Sequence, residues 1–160
     1  ANEPITIDQI GCRYTPHVNA VTVGQEVLIT NSDATLHNVN SKSKVNDTFN
    51  SAQPAGVPAI KKEFTKPEEP FYIKCDVHPW MKAWMMVSGH PYFAVTDENG
   101  YYKIDNVPAG NYEIVFWQEK LSNLPAKKFN LPSNTLEIKV SDEGTTTADF
   151  TFDSPANYKK

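Results

Sequence analysis

The side chains of this sequence that are best suited to chemistry lie close together in residues 75–81, which read CDVHPWM. The segment offers the thiol of Cys75, the imidazole of His78 and the thioether of Met81 at a C-x2-H-x2-M spacing. It lies on a predicted loop between two predicted strands. A tight turn in this loop would bring the three donor atoms to one point, which an extended chain could not do.

A thiolate, an imidazole and a thioether form a soft set of donors. Such a set suits copper and is poorly matched to calcium or magnesium, which prefer oxygen ligands. Zinc accepts cysteine and histidine, but a thioether is an uncommon zinc ligand. Two histidines, one cysteine and a weak axial methionine hold one copper ion in a trigonal site. The segment therefore predicts a single copper ion as cofactor and requires a second histidine from another part of the chain.

His37 is the candidate for that second histidine. It follows the predicted strand Glu26 to Thr30 and the turn residues Asn31 to Asp33, where the end of a β-sandwich would place it. The remaining histidines, His17 and His90, have no comparable setting, and we expect them to be surface or hydrogen-bonded residues.

The composition predicts an all-β protein without a nucleic-acid partner and without a membrane span. Twelve prolines and seven glycines among 160 residues favour short strands joined by turns. A net charge of -4, with scattered basic residues, argues against nucleic acid as a partner. No run of about 18 apolar residues is present, so we expect no membrane span. Ala1 to Pro4 are typical of a mature end left by a signal peptidase, so we expect a periplasmic or extracellular protein.

The strand pattern changes after residue 88, which predicts two domains, 1–88 and 89–160. In the first part, residues 41–58 are polar without periodicity and predict a loop. The strands predicted there are 5–10, 20–23, 26–30, 71–75 and 84–87. The strands predicted in the second part alternate more clearly and are 92–96, 101–104, 112–117, 135–140 and 146–152.

Residues 10–88 resemble the cupredoxin family. The resemblance rests on four stretches: Y-T-P at 14–16, V-x-V-G-Q-x-V at 21–27, N-S-D-x-x-x-H-N-V at 31–39, and the short Cys-His-Met loop, whose spacing is that of the amicyanins. Residues 90–153 resemble the transthyretin-like or carboxypeptidase-regulatory-like module through the run TDENGYYKIDNVPAGNYEIVFW at 96–117. Together the resemblances imply a Greek-key β-sandwich followed by a second, smaller sandwich.

The resemblance to cupredoxins implies the ligand set of the copper ion. His37, Cys75 and His78 would be the strong ligands and Met81 the axial one. Asn38 would tie the ligand loops together by hydrogen bonds. Val77 replaces a proline of the short-loop proteins, so we expect an extra backbone N–H near the cysteine sulfur.

The same resemblance implies a carrier of single electrons rather than an enzyme. Such a carrier docks weakly and transiently on redox partner proteins. Two alternatives stay open: a protein that delivers or stores Cu(I), and a protein related to the red copper proteins that binds a small molecule. The oligomeric state is not predicted.

Cys12 takes the place of an apolar residue that flanks the copper end in plastocyanin-like proteins, which leaves three interpretations. A disulfide with Cys75 would close a loop of about 60 residues and abolish copper binding. Alternatively, Cys12 supplies a second thiolate to the metal. In the third interpretation it is a free cysteine that packs as a small apolar residue.

Overall fold

The structure is a computed structural model and describes residues 3–122 and 134–151. Among these, nine strands in the first 88 residues form two sheets. One sheet has the order β2-β1-β4-β7 and the other the order β3-β9-β8-β5-β6. The strands are β1 (Ile5–Gln9), β2 (Tyr14–Thr15), β3 (Val18–Thr22), β4 (Glu26–Asn31), β5 (His37–Ser41), β6 (Asn50–Gln53), β7 (Ile60–Glu63), β8 (Glu68–Lys74) and β9 (Lys82–Ser88).

The two sheets share one core. In β4, the sequence EVLITN alternates so that Val27 and Ile29 point inward, as the two-residue period of a strand requires. They join Ile7 of the same sheet and Ile73 and Met85 of the other sheet in a single buried cluster. Side chains from the facing sides of both sheets are thereby removed from water, and the burial of this apolar surface stabilises the sandwich.

The predicted strands of the first 88 residues are confirmed with shifts of a few residues at their ends. The sequence did not predict β2, β5, β6 or β7. Residues 41–58 were expected to form a loop, but β6 lies within them and pairs with β5. Both β5 (HNVNS) and β6 (NSAQ) are rich in polar residues, so neither shows the apolar alternation from which a strand is predicted.

The chain divides into two compact units, Ala1–Asp105 and Asn106–Lys160. In the described part of the second unit, β10 (Gly110–Val115) pairs with β11 (Thr135–Val140) in an antiparallel ladder, and a single helical turn, α1, covers Glu119–Ser122.

Three of the strands predicted after residue 88 do not form. Residues 92–96, 101–104 and 146–151 contain no strand, and residue 152 lies outside the described residues. Many of these residues are exposed, Tyr101 to 76% among them, so alternation here does not correspond to a buried face. The strand predicted at 135–140 is confirmed, and the one at 112–117 begins two residues earlier. The domain boundary at 88 and the transthyretin-like fold stay predictions.

Within the described residues, no helix is long and apolar enough to cross a membrane.

Candidate metal centre

His37 is the first residue of β5 and is fully buried. Its Nε2 lies 2.8 Å from Oδ2 of Asp33, four residues earlier in the loop after β4. Hydrogen bonds from the Cys12 amide and from His37 hold the pKa of Asp33 below its ordinary value, so Asp33 is a carboxylate and accepts the Nε2 proton. The other ring nitrogen of His37, Nδ1, faces His78. A carboxylate that orients the ring of a histidine in this way is typical of metal-binding histidines.

The Nδ1 atoms of His37 and His78 face each other at 2.9 Å. The rings meet edge to face with their centroids 4.7 Å apart. The Sγ atom of Cys75, which is buried, lies 3.9 Å from Nδ1 of His78 and accepts the backbone N–H of His78 at 3.4 Å. The two ring nitrogens thus come from separate segments of the chain, and the Cys75 sulfur lies near that of His78. The ligand set expected from the sequence stays a prediction.

The loop between β8 and β9 is closed by its own backbone. The N–H of Cys75 donates to the carbonyl of Met81 at 3.1 Å, and the N–H of Met81 donates to the carbonyl of His78 at 2.9 Å. This is the tight turn expected from the C-x2-H-x2-M spacing. The Met81 side chain is buried in the core cluster that also contains Cys75. All three residues of the motif are therefore held within one turn.

Asn38 ties β5 to this loop, as expected. Its Oδ1 accepts the backbone N–H of Asp76 at 2.7 Å and that of Val77 at 3.4 Å, and it lies 3.3 Å from the Cys75 sulfur. The N–H of Val77 donates to Asn38 Oδ1 at 3.4 Å, and this oxygen lies beside the Cys75 sulfur. The amide that donates to the sulfur itself is that of His78.

Asp76 is the centre of a second cluster that the sequence did not reveal. Its Oδ2 accepts the side-chain amides of Asn38, Asn40 and Asn50 at 2.8–3.0 Å. Its Oδ1 pairs with Lys74 Nζ at 2.7 Å. Lys74 and then Asn40 contribute most to holding the pKa of Asp76 well below its ordinary value. Residues 75–81, between β8 and β9, are called the ligand loop below. The carboxylate of Asp76 therefore connects the start of this loop to both β5 and β6.

Cys12 and Cys75 are both free, so the disulfide interpretation is wrong for this structure. Cys12 lies in the β1–β2 loop. Its Sγ and one ring nitrogen from each of His37 and His78 all lie within 4.8 Å of one another. His17 and His90 lie outside this group and contact backbone groups of Lys82 and Tyr92 instead.

The residues present fit one copper ion. His37 and His78 direct ring nitrogens toward each other and the Cys75 sulfur lies 3.9 Å from that of His78, so these are donors from which a soft cation could accept electron pairs. The buried thioether of Met81 belongs to the same turn. The carboxylate of Asp33 was the functional residue that the sequence analysis missed. Its position four residues before His37, in a turn segment, was the only available signal.

No protein-family model matches the chain, and no curated protein sequence is similar to it. Solved structures do resemble it. A copper-containing nitrite reductase from Thermus scotoductus is 23% identical, with a TM-score of 0.50 over 55% of this chain and 23% of that one. The chain therefore spans less than a quarter of that enzyme.

Amicyanin from Paracoccus versutus is 19% identical, with a TM-score of 0.47 over 55% of this chain and 84% of that one. An amicyanin point mutant in its Cu(I) form is 26% identical, with a TM-score of 0.42 over 55% and 85% of the two chains. The likeness to the nitrite reductase shows the fold alone. Over that part of its length the chain adopts the Greek-key β-sandwich of the cupredoxins.

Proposed function

We propose that the protein carries single electrons through one mononuclear copper ion, bound by His37, Cys75 and His78 with Met81 as the axial ligand. Copper bound there supplies a one-electron couple between Cu(I) and Cu(II). The observation that carries the proposal is the convergence of the two Nδ1 atoms, 2.9 Å apart, with the Cys75 sulfur 3.9 Å from one of them.

The residues around the ligands support a rigid centre. Asp33 orients His37, Asn38 binds two amides of the ligand loop, and Asp76 joins that loop to β5 and β6. The contact of Asp33 with His37 is local, whereas those of Asn38 and Asp76 join distant segments, so movement of His37 or of the start of this loop breaks hydrogen bonds. A centre held in this way reorganises little when its charge changes, which is what electron transfer requires.

The loops next to the ligands carry exposed apolar side chains. Leu36 precedes His37 and is 44% exposed, and Val77 and Trp80 in the ligand loop are 52% and 67% exposed. The ring of Trp80 lies 5.2 Å from that of His78. Apolar groups exposed around a redox site suit a small, transient interface with a redox partner protein. We further propose that the carrier is not an enzyme and that it works in the periplasm or outside the cell.

Titration of the apoprotein with Cu(II) tests this proposal. We expect one equivalent to give intense visible thiolate-to-copper charge transfer, together with reversible voltammetry. Cys75→Ser should abolish the colour and His37→Ala should strongly weaken copper binding. His90→Ala is the matched control, because His90 lies outside the cluster, and it should keep the colour. Unchanged colour in Cys75→Ser would refute the ligand assignment.

Delivery or storage of Cu(I) is a second candidate, and the nearness of Cys12 to both histidines favours it. A centre with two thiols would hold soft Cu(I) well. The same titration separates the two functions: a protein that stays colourless with Cu(II) and takes up only Cu(I) is a delivery or storage protein rather than an electron carrier.

A further inference from the structure

The structure places a second thiol at the metal centre. The Sγ atom of Cys12 lies within 4.8 Å of a ring nitrogen of His37 and of one of His78. Cys12 is half-buried and packs against the core, and it forms no disulfide. It comes from the β1–β2 loop, a third segment besides the β4–β5 region and the ligand loop. The thiol is thus directed to the same place as the ligands that the sequence motif supplies.

Both ligand-bearing segments hold the backbone of Cys12. Its N–H donates to Oδ2 of Asp33 at 2.8 Å, and this same oxygen lies 2.8 Å from Nε2 of His37. Its carbonyl accepts the indole N–H of Trp80, in the ligand loop, at 3.1 Å. Cys12 also has φ +53°, in the left-handed region that residues other than glycine rarely adopt. These contacts keep the position of Cys12 fixed relative to both histidines.

The distances allow a shared ion. A metal–nitrogen bond of about 2.1 Å and a metal–thiolate bond of about 2.3 Å place the two donor atoms about 3.6 Å apart in a tetrahedral site. The separation of up to 4.8 Å therefore closes with a side-chain movement of about 1.2 Å or less, which a χ1 rotation provides.

We propose that Cys12 is a further metal-binding residue of this centre and coordinates copper in the Cu(I) state, together with His37, His78 and Cys75. The thiol of Cys12 releases its proton to solvent when the metal binds. A second thiolate makes the donor set softer, which favours Cu(I). The inference rests on the proposed function in one respect only, namely that copper occupies this site.

The test is anaerobic Cu(I) binding to the full chain, measured by competition with a chromophoric chelator, with copper K-edge X-ray absorption of the loaded protein. We expect Cys12→Ser and Cys12→Ala to bind Cu(I) at least tenfold more weakly than the unchanged protein. The number of short copper–sulfur contacts should fall from two to one. Cys75→Ser serves as the reference for loss of a thiolate of the proposed ligand set, and circular dichroism verifies that each variant is folded.

Alkylation of the unchanged chain gives a readout that needs no variant. Mass spectrometry should show Cys12 protected from iodoacetamide by Cu(I) and modified in the apoprotein. The inference for Cys12 would be overturned if Cys12→Ser bound Cu(I) as tightly as the unchanged protein and if the unchanged protein showed one short copper–sulfur contact. Loss of copper binding in Cys75→Ser would still support the proposed function in that case. Failure of the unchanged protein to bind copper in either oxidation state would overturn both.

Discussion

In the unit formed by residues 1–105, strands of two sheets face each other across a shared core, whereas the described part of the unit formed by residues 106–160 has one two-stranded ladder. The first unit buries Ile7, Ile29 and Ile73 almost completely. In the second unit, Leu121 is the only buried residue among those described, and Val115 of β10 is 60% exposed.

The difference shows when an alternation of apolar and polar residues leads to burial of the apolar side chains. A strand buries its apolar face only when a second layer covers that face. In the first unit the second layer exists, and the loops at one end of the sandwich bring His78 close to both His37 and Cys75. The two-stranded ladder of the second unit presents half-buried and exposed side chains, and among its described residues it holds no cluster of metal-binding side chains.

The largest expected effect comes from truncating matched isoleucines in the two units. Ile73→Ala, in β8, should lower the free energy of unfolding by about 2–5 kcal/mol, because it leaves a cavity in a closed core. Ile114→Ala, in β10, should cost less than about 1.5 kcal/mol, because its side chain is only half-buried. Denaturant unfolding of the full chain measures both. Equal losses would mean that β10 is as well packed as β8.

A buried carboxylate provides the second test. Glu68 of β8 accepts hydrogen bonds from the Ser43 hydroxyl, the Lys44 amide and the Asn46 side chain at 2.6–3.0 Å. Burial would raise the pKa of Glu68, but the hydrogen bonds, that of Asn46 foremost, outweigh it and hold the pKa below the ordinary 4.5. Glu68→Gln should cost about 1–3 kcal/mol at neutral pH, because a charged acceptor is lost from a site of donors.

The pH dependence of this cost has a definite sign. Because the pKa of Glu68 is lower in the folded state than in the unfolded state, its contribution is complete above pH 4.5 and is lost as the pH falls through the folded value. The stabilities of Glu68→Gln and the unchanged protein should therefore converge in acid. Glu69→Gln, at the exposed neighbouring position, and Glu113→Gln, on exposed β10, are the controls and should show almost no loss. A constant difference at all pH values would contradict this role.

These contrasts also explain which parts of the fold could be predicted from the sequence. Strands β1, β4, β8 and β9 combine apolar runs with buried faces, so their pattern and their structure agree. Strand β5 reads HNVNS and was missed, because its polar residues are buried to serve the metal centre rather than to fill an apolar core. Residues 92–96 are the opposite case, because they show the alternation expected of a strand but form no strand in the structure.

The metal centre divides in the same way. The close spacing of Cys75, His78 and Met81 makes a local turn sufficient to hold them near one another, so this turn could be predicted. The prediction of His37 required the assumption that loops distant in the sequence meet at one end of a β-sandwich. The contact of Asp33 with His37 had only the spacing of four residues as a signal, and for Cys12 the sequence left three interpretations open, because the positions of both residues depend on how three loops meet.

A third test compares hydrogen bonds at the metal centre with one in the second unit. Asn38→Ala should cost about 1–3 kcal/mol, because the N–H of Asp76 loses its acceptor at a partly buried position. It should also shift the charge-transfer spectrum of the copper-loaded protein. Tyr112→Phe removes a bond from an exposed hydroxyl to the Pro108 carbonyl and should cost less than about 0.5 kcal/mol. A spectrum that is unchanged in Asn38→Ala would show that Asn38 does not set the geometry of the ligands.

The smallest effect is expected from a charge reversal within the ladder of the second unit. Glu113 of β10 lies directly opposite Glu137 of β11, and like charges in directly opposed positions repel each other. Glu137→Lys should therefore stabilise the ladder by about 0.2–1 kcal/mol, with the gain reduced at high salt. Slower amide hydrogen exchange in β10 would report it. Glu143→Lys, an exposed change of the same charge outside the ladder, is the control. An equal gain from both variants would show that the effect comes from net charge rather than from the strand pair. The stability of the ladder would then come from its backbone hydrogen bonds and not from the side chains that face each other across it.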